Sequence, residues 1–180
     1  RFPIYVLFTK ADLIAGFIEF FSDLGQEERA QVWGMTLPMD DPANPEGAVE
    51  RYLSELDLLE QRLNDRLVER LQEERDPQRR DLIYTLPKQF GSLKPVADQF
   101  LKEIFRPSRF EERVLLRGIY FTSGTQEGTP IDRLMSSLAT TFGLHRQTLS
   151  TFSGKGRSYF ITRLLRDVIF PEAEIAGANL

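Results

Sequence analysis

The sequence predicts a helix-rich α/β protein in which a partial sheet is interrupted by a large all-helical insertion. Three observations lead there. Two apolar runs of strand character, one near Ile4–Phe8 and one ending at Phe121, stand far apart in the chain. Between them apolar residues recur at helical spacing. Proline and glycine divide that middle region into pieces of helix length. With 180 residues, 41% of them hydrophobic, the chain is long enough to bury a real core.

Residues 3–9 form a continuous apolar run with aromatic and β-branched members, the pattern of a central strand covered on both faces. After Thr9-Lys10-Ala11-Asp12 the spacing of Leu13, Phe17, Phe20, Phe21 and Leu24 predicts a helix that stops at Gly25. A short helix is expected from Gln26 to Trp33, and a surface loop over Pro38 to Gly47. Val49, Tyr52, Leu53, Leu56, Leu59, Leu63, Leu67 and Leu71 then predict one long amphipathic helix from Ala48 to Arg75, closed by Pro77. Its leucines read as core, and Arg66 and Arg70 read as outer-face residues.

Helices are further expected over Gln78 to Leu86 and Lys94 to Phe105, separated by Pro87 and Gly91 and ended by Pro107. Arg113 to Phe121 returns to strand chemistry and runs into the Gly-rich loop Thr122 to Pro130. Pro130 suits the first turn of a helix over Ile131 to Leu138, and residues 140–156 read as loop. Tyr159, Phe160, Leu164, Leu165, Val168 and Ile169 predict a last helix up to Pro171. The domain reading is an α/β portion made of residues 1–35 and 111–180, with residues 36–110 as the helical insertion.

The net charge of −4 and pI near 5.2 argue against nucleic acid as a partner. Without cysteine there is neither a disulfide framework nor a thiolate site. The single histidine, His145, has no His or Cys companion, so no metal is expected. The acidic pairs Glu27-Glu28, Glu73-Glu74 and Glu111-Glu112 read as solvated faces, and no catalytic residue is assigned. No apolar stretch approaches the roughly 20 residues of a membrane span. The chain opens almost directly into a strand and reads as a piece of a longer protein, with any membrane attachment outside it.

A strand followed by Thr-Lys-x-Asp and a helix is the arrangement with which GTPase-like domains read guanine. An Asp there accepts from guanine N1–H and the 2-amino group, the Lys stem lies along the base, and a second strand-end loop offers backbone N–H groups. Thr9, Lys10 and Asp12, with Thr122, Ser123 and Gly124, are the candidate base-binding residues, and the sheet is accordingly read as partly GTPase-like. The competing reading of Lys10 and Asp12 is ordinary decoration of a helix start. No G-x-x-x-x-G-K-[ST] occurs, so nothing here cradles phosphates. Gly154-Lys155-Gly156-Arg157-Ser158 imitates one only superficially, because Leu149 stands where the first glycine belongs.

Several segments resemble the IcmF/TssM family of bacterial type VI secretion: Pro3 to Leu13 with Gly16-Phe17, Gln31-Val32-Trp33-Gly34, Leu116 to Gly128, Arg157 to Phe160, and Asp167 to Glu172. The resemblance implies an inner-membrane protein with a GTPase-like cytoplasmic domain that joins TssL and the lipoprotein TssJ and docks baseplate components. It implies that this chain is a scaffold portion at the cytoplasmic face, without cofactor or enzymatic activity of its own. Family members often carry an upstream phosphate-binding loop. The runner-up reading is therefore the base-reading half of a switch that uses GTP or ATP with Mg in the full-length protein.

Overall fold

In the computed structural model, which describes residues 3–37, 45–105, 115–124 and 157–172, three strands form one mixed sheet. Strand β1 (Pro3–Phe8) runs parallel to β3 (Leu115–Phe121), and β2 (Gly34–Thr36) runs antiparallel to β3 on its other side. Among the described residues the central strand is thus β3, and β1, expected at the centre, lies at an edge. Leu116, Ile119, Tyr120 and Phe121 are buried on the paired strand, whereas Ile4 and Leu7 each remain 37% exposed. β2 was not expected at all: the helix predicted to reach Trp33 is α2 (Gln26–Arg29), and three extended residues are too few to display alternation.

The β1–β3 register contains a bulge, with Ile4 opposite Leu116 but Tyr5 opposite Gly118. Arg117 is the extra residue. The bulge leaves Leu116, Ile119 and Phe121 packed in the core, together with Val6 and Phe8, while Arg117 joins Tyr5 on the other side. Without the bulge, strict alternation would send Arg117 into the apolar face.

The helix predicted through Leu24 is broken. A 3₁₀ turn covers Ala11–Leu13, and α1 is only Phe17–Phe20. Gly16 between them has φ of 88°, and a Cβ at that position would collide with the Leu82 carbonyl of α4 (Pro77–Gly91). Close approach of the two backbones therefore interrupts the helical periodicity.

Helix α3 (Pro45–Glu73) takes in the last residues of the expected loop and has Pro45 at its start, where a missing N–H costs nothing. Tyr52, Leu56, Leu59 and Leu63 are buried, as the leucine stripe requires. Pro77 opens α4 instead of closing α3, and Asp76 caps it by accepting from the Gln78 N–H at 2.9 Å. α4 continues through Pro87 to Gly91, so Pro87 does not divide the helices. Pro87 is buried there, its apolar ring joining the face occupied by Ile83, Leu86 and Phe90, and that packing outweighs the lost main-chain hydrogen bond. α5 (Lys94–Ile104) follows closely the predicted boundaries.

One core joins these elements. Trp33 is its hub, with ring centroids 5.2 Å from Phe90, 5.2 Å from Phe121 and 5.4 Å from Phe160. The last helical segment begins after Phe160, later than its periodicity suggested. Tyr159 instead pairs through its backbone with Ser123, and Phe160 has φ of 62°. A six-residue π-helical stretch, Leu164–Ile169, follows. The expected loops 38–44, 125–130 and 140–156 and the helix 131–138 lie outside the described residues.

Candidate functional site

Parallel pairing of β1 with β3, ending at Phe8 opposite Phe121, places the two strand-end loops side by side. Two backbone bonds lock them: the Thr122 N–H donates to the Phe8 carbonyl at 2.9 Å, and the Ala11 N–H donates to the Thr122 carbonyl at 3.0 Å. Asp12 and Ser123, 111 positions apart, meet directly, the Ser123 hydroxyl donating to Asp12 Oδ1 at 2.6 Å. Lys10 supplies the sharp turn between β1 and the 3₁₀ turn with a left-handed φ of 58°.

All six candidate residues thus lie at one end of the sheet, but they divide by exposure. Thr9, Lys10 and Gly124 face solvent. Asp12 is 5% exposed, Thr122 2% and Ser123 0%. In this arrangement Asp12 acts as an internal acceptor that ties the first loop to the second. A carboxylate reading guanine needs both oxygens open to the base. Among the described residues no cluster of His, Cys, Asp and Glu is arranged to hold a metal.

A second polar cluster lies where the bulge delivers Arg117. Its Nε donates to Glu172 Oε2 at 2.9 Å, Nη2 donates to Glu172 Oε1, and Nη1 donates to the Leu37 carbonyl. The Tyr5 hydroxyl donates to the same Glu172 carboxylate. The Arg117 guanidinium holds the Glu172 carboxyl below its usual range. Burial, helped by the bond to Glu172, pushes the Tyr5 phenol up to about 12. Beside them the Tyr120 and Thr36 hydroxyls are 2.8 Å apart, and burial raises Tyr120 as well. The sequence contained a signal for this cluster that local pattern does not interpret: an arginine inside an apolar strand must find a counter-charge.

The third cluster corrects the reading of α3. Arg70, expected on the outer face, is 3% exposed. Its Nε donates to the Phe20 carbonyl at 2.8 Å and Nη2 to the Glu19 carbonyl at 3.1 Å, closing the end of α1. It also pairs with Glu73 and, at 3.3 Å, with Asp23, which Arg66 shares. Position 70 lies one heptad beyond Leu63 and two beyond Leu56, hence on the buried face. That spacing would have revealed it.

Residues 1–180 match the model of the IcmF-related N-terminal domain. The chain is also 58% identical over 179 residues to a protein of Pseudomonas aeruginosa named type VI secretion system component TssM1. That alignment covers 99% of this chain and 16% of the relative, so the chain spans about a sixth of the length of the curated protein it matches. No solved structure matches it. The resemblance carried by the segments from Pro3 to Glu172 is met, and the chain belongs to the family of IcmF-related N-terminal domains.

Proposed function

We propose that this chain is a scaffold portion of a type VI secretion membrane complex, working at the cytoplasmic face of the bacterial inner membrane through contacts with other secretion proteins. Similarity to the type VI secretion component supports the setting. Among the described residues no helix is long and apolar enough to cross a membrane, which fits a portion attached through segments elsewhere in the parent protein. TssL, TssJ and baseplate components are the proposed assembly partners of that parent.

The observation that carries the scaffold role is the use made of Asp12. The one carboxylate suited to read a base is buried and takes the Ser123 hydroxyl, so it holds two loops of the sheet together. The chain on this reading turns over no nucleotide and needs no cofactor of its own. GTP or ATP with Mg belongs to the alternative, in which upstream residues complete a switch.

Asp12→Asn in the parent protein separates the two. Asparagine keeps an oxygen to accept from Ser123 but loses the second acceptor that guanine requires. Normal secretion and unchanged thermal unfolding are expected. Loss of secretion in a protein that remains folded, together with loss of guanine-nucleotide binding in titration calorimetry, would overturn the scaffold reading.

A further inference from the structure

Most arginines of the helical region have partners. Arg66 and Arg70 share Asp23, and Arg79 pairs with Glu74. Arg75 and Arg80, like Arg62, are exposed and form no ion pair among the described residues, but these two stand together. They line a cleft of about 400 Å³ at the elbow between α3 and α4, together with Leu71, Pro77, Asp81 and Tyr84. Tyr84 is 49% exposed. Arg80, Tyr84 and Lys88 follow i, i+4, i+8 spacing, which puts them on one stripe of α4, and the Lys88 ammonium sits 5.2 Å from the Tyr84 ring centroid.

Arg80 and Lys88 put positive charge on either side of an exposed tyrosine, and Tyr and Arg are the residues that anchor protein interfaces. We propose that this cleft docks an acidic peptide segment of a partner protein, with a carboxylate between Arg75 and Arg80 and an apolar or aromatic side chain against Tyr84 and Leu71. The proposal rests on the scaffold reading and names the surface through which it acts. A bilayer surface suits the site less well. Asp81 lines the cleft and Glu74 and Asp76 flank it, so a flat sheet of anionic headgroups would meet like charge, whereas a peptide threads its acids onto the arginines alone.

The test is photocrosslinking in cells that carry the full-length parent protein, with p-benzoylphenylalanine in place of Tyr84. The expected result is an adduct whose crosslinked peptide, identified by mass spectrometry, is net negative. Arg75→Glu combined with Arg80→Glu should reduce that adduct by about tenfold or more, as loss of two charge partners does. Exchange of acids for lysines in the captured segment should restore it. Arg75→Gln with Arg80→Gln provides the same loss without introducing repulsion should the reversed protein fail to accumulate. An adduct to lipid, an adduct to a neutral or basic segment, an adduct indifferent to both pairs of substitutions, or no adduct would each overturn the proposal. A parallel probe at Val96, 52% exposed on α5, keeps the two readings apart. Capture of a secretion component there with none at position 84 defeats the cleft and leaves the scaffold. Capture at neither position, with normal secretion after charge reversal, defeats both.

Discussion

Replacing Arg70 by alanine removes a buried guanidinium on which three parts of the chain depend. The Phe20 carbonyl loses its side-chain donor, the Glu19 carbonyl is left with the Ser22 hydroxyl, Glu73 loses its partner, and Asp23 keeps only Arg66. Hydrogen bonds from a charged donor contribute about 1.5–3 kcal/mol each, and removing one side of a buried ion pair costs about 3–5 kcal/mol. These ranges overlap rather than add, because one group makes every contact. Asp23 is 27% exposed and still paired, and Glu73 is 53% exposed, so neither becomes an isolated buried charge. The lower part of the range applies, a loss of about 3 kcal/mol. For a chain of this size that lowers Tm by about 6–12 °C. Arg70→Lys should recover about half of the loss, since a compact ammonium keeps the charge but not the fork that reaches both carbonyls. Urea unfolding followed by circular dichroism measures the change, with an unaltered m-value as the check on two-state behaviour. A loss below about 1 kcal/mol for Arg70→Ala, the size of an ordinary surface change, would refute the account of Arg70 as the closure of α1.

Leu63→Ala should cost about 2–5 kcal/mol, the range for a buried leucine, and leave the chain's mass by light scattering unchanged, because Leu63 faces its own core. Gly16→Ala combines a left-handed φ with a Cβ collision against Leu82, and a loss of about 2 kcal/mol or more in thermal unfolding is expected. Glu172 has a depressed pKa in the folded chain, so its contribution is present above the unfolded value of 4.5 and disappears as pH falls through the folded value. Glu172→Gln should therefore flatten the acid limb of the stability profile, and an unchanged limb would argue against the Arg117 pairing. Tyr5 behaves in the opposite sense. Raised to about 12, it contributes below pH 10 and that contribution is lost as pH rises from 10 toward 12, which ultraviolet titration of Tyr5→Phe against the parent chain can detect.

The elements legible in the sequence were those whose evidence is local and repeated. The leucines of α3, the run in β3 and the bounds of α5 each repeat a period over several turns or residues. The convergence of Asp12 with Ser123 was legible for a related reason: both follow strands, and parallel pairing brings strand ends together. What stayed hidden depends on a distant neighbour. Whether Gly16 ends a helix turns on the Leu82 carbonyl, and whether Pro87 does so turns on the core into which its ring packs. β2 exists because Tyr120 and its neighbours offer an edge to three residues that would not form a strand alone.

Charge placement divides along the same line. A solvated arginine and one buried in a carbonyl cage are the same letter, and the difference at position 70 appears only when the α3 stripe is continued by heptads past its last leucine. Arg117 needed a bulge to leave the apolar face and Glu172, 55 residues later, to neutralise it. The same comparison identifies Arg75 and Arg80. Once Arg66, Arg70, Arg79 and Arg117 are assigned to internal partners, these two exposed arginines beside Tyr84 are cations of the described chain that the fold does not use. A partner that recognises them would supply the carboxylate that the described residues do not.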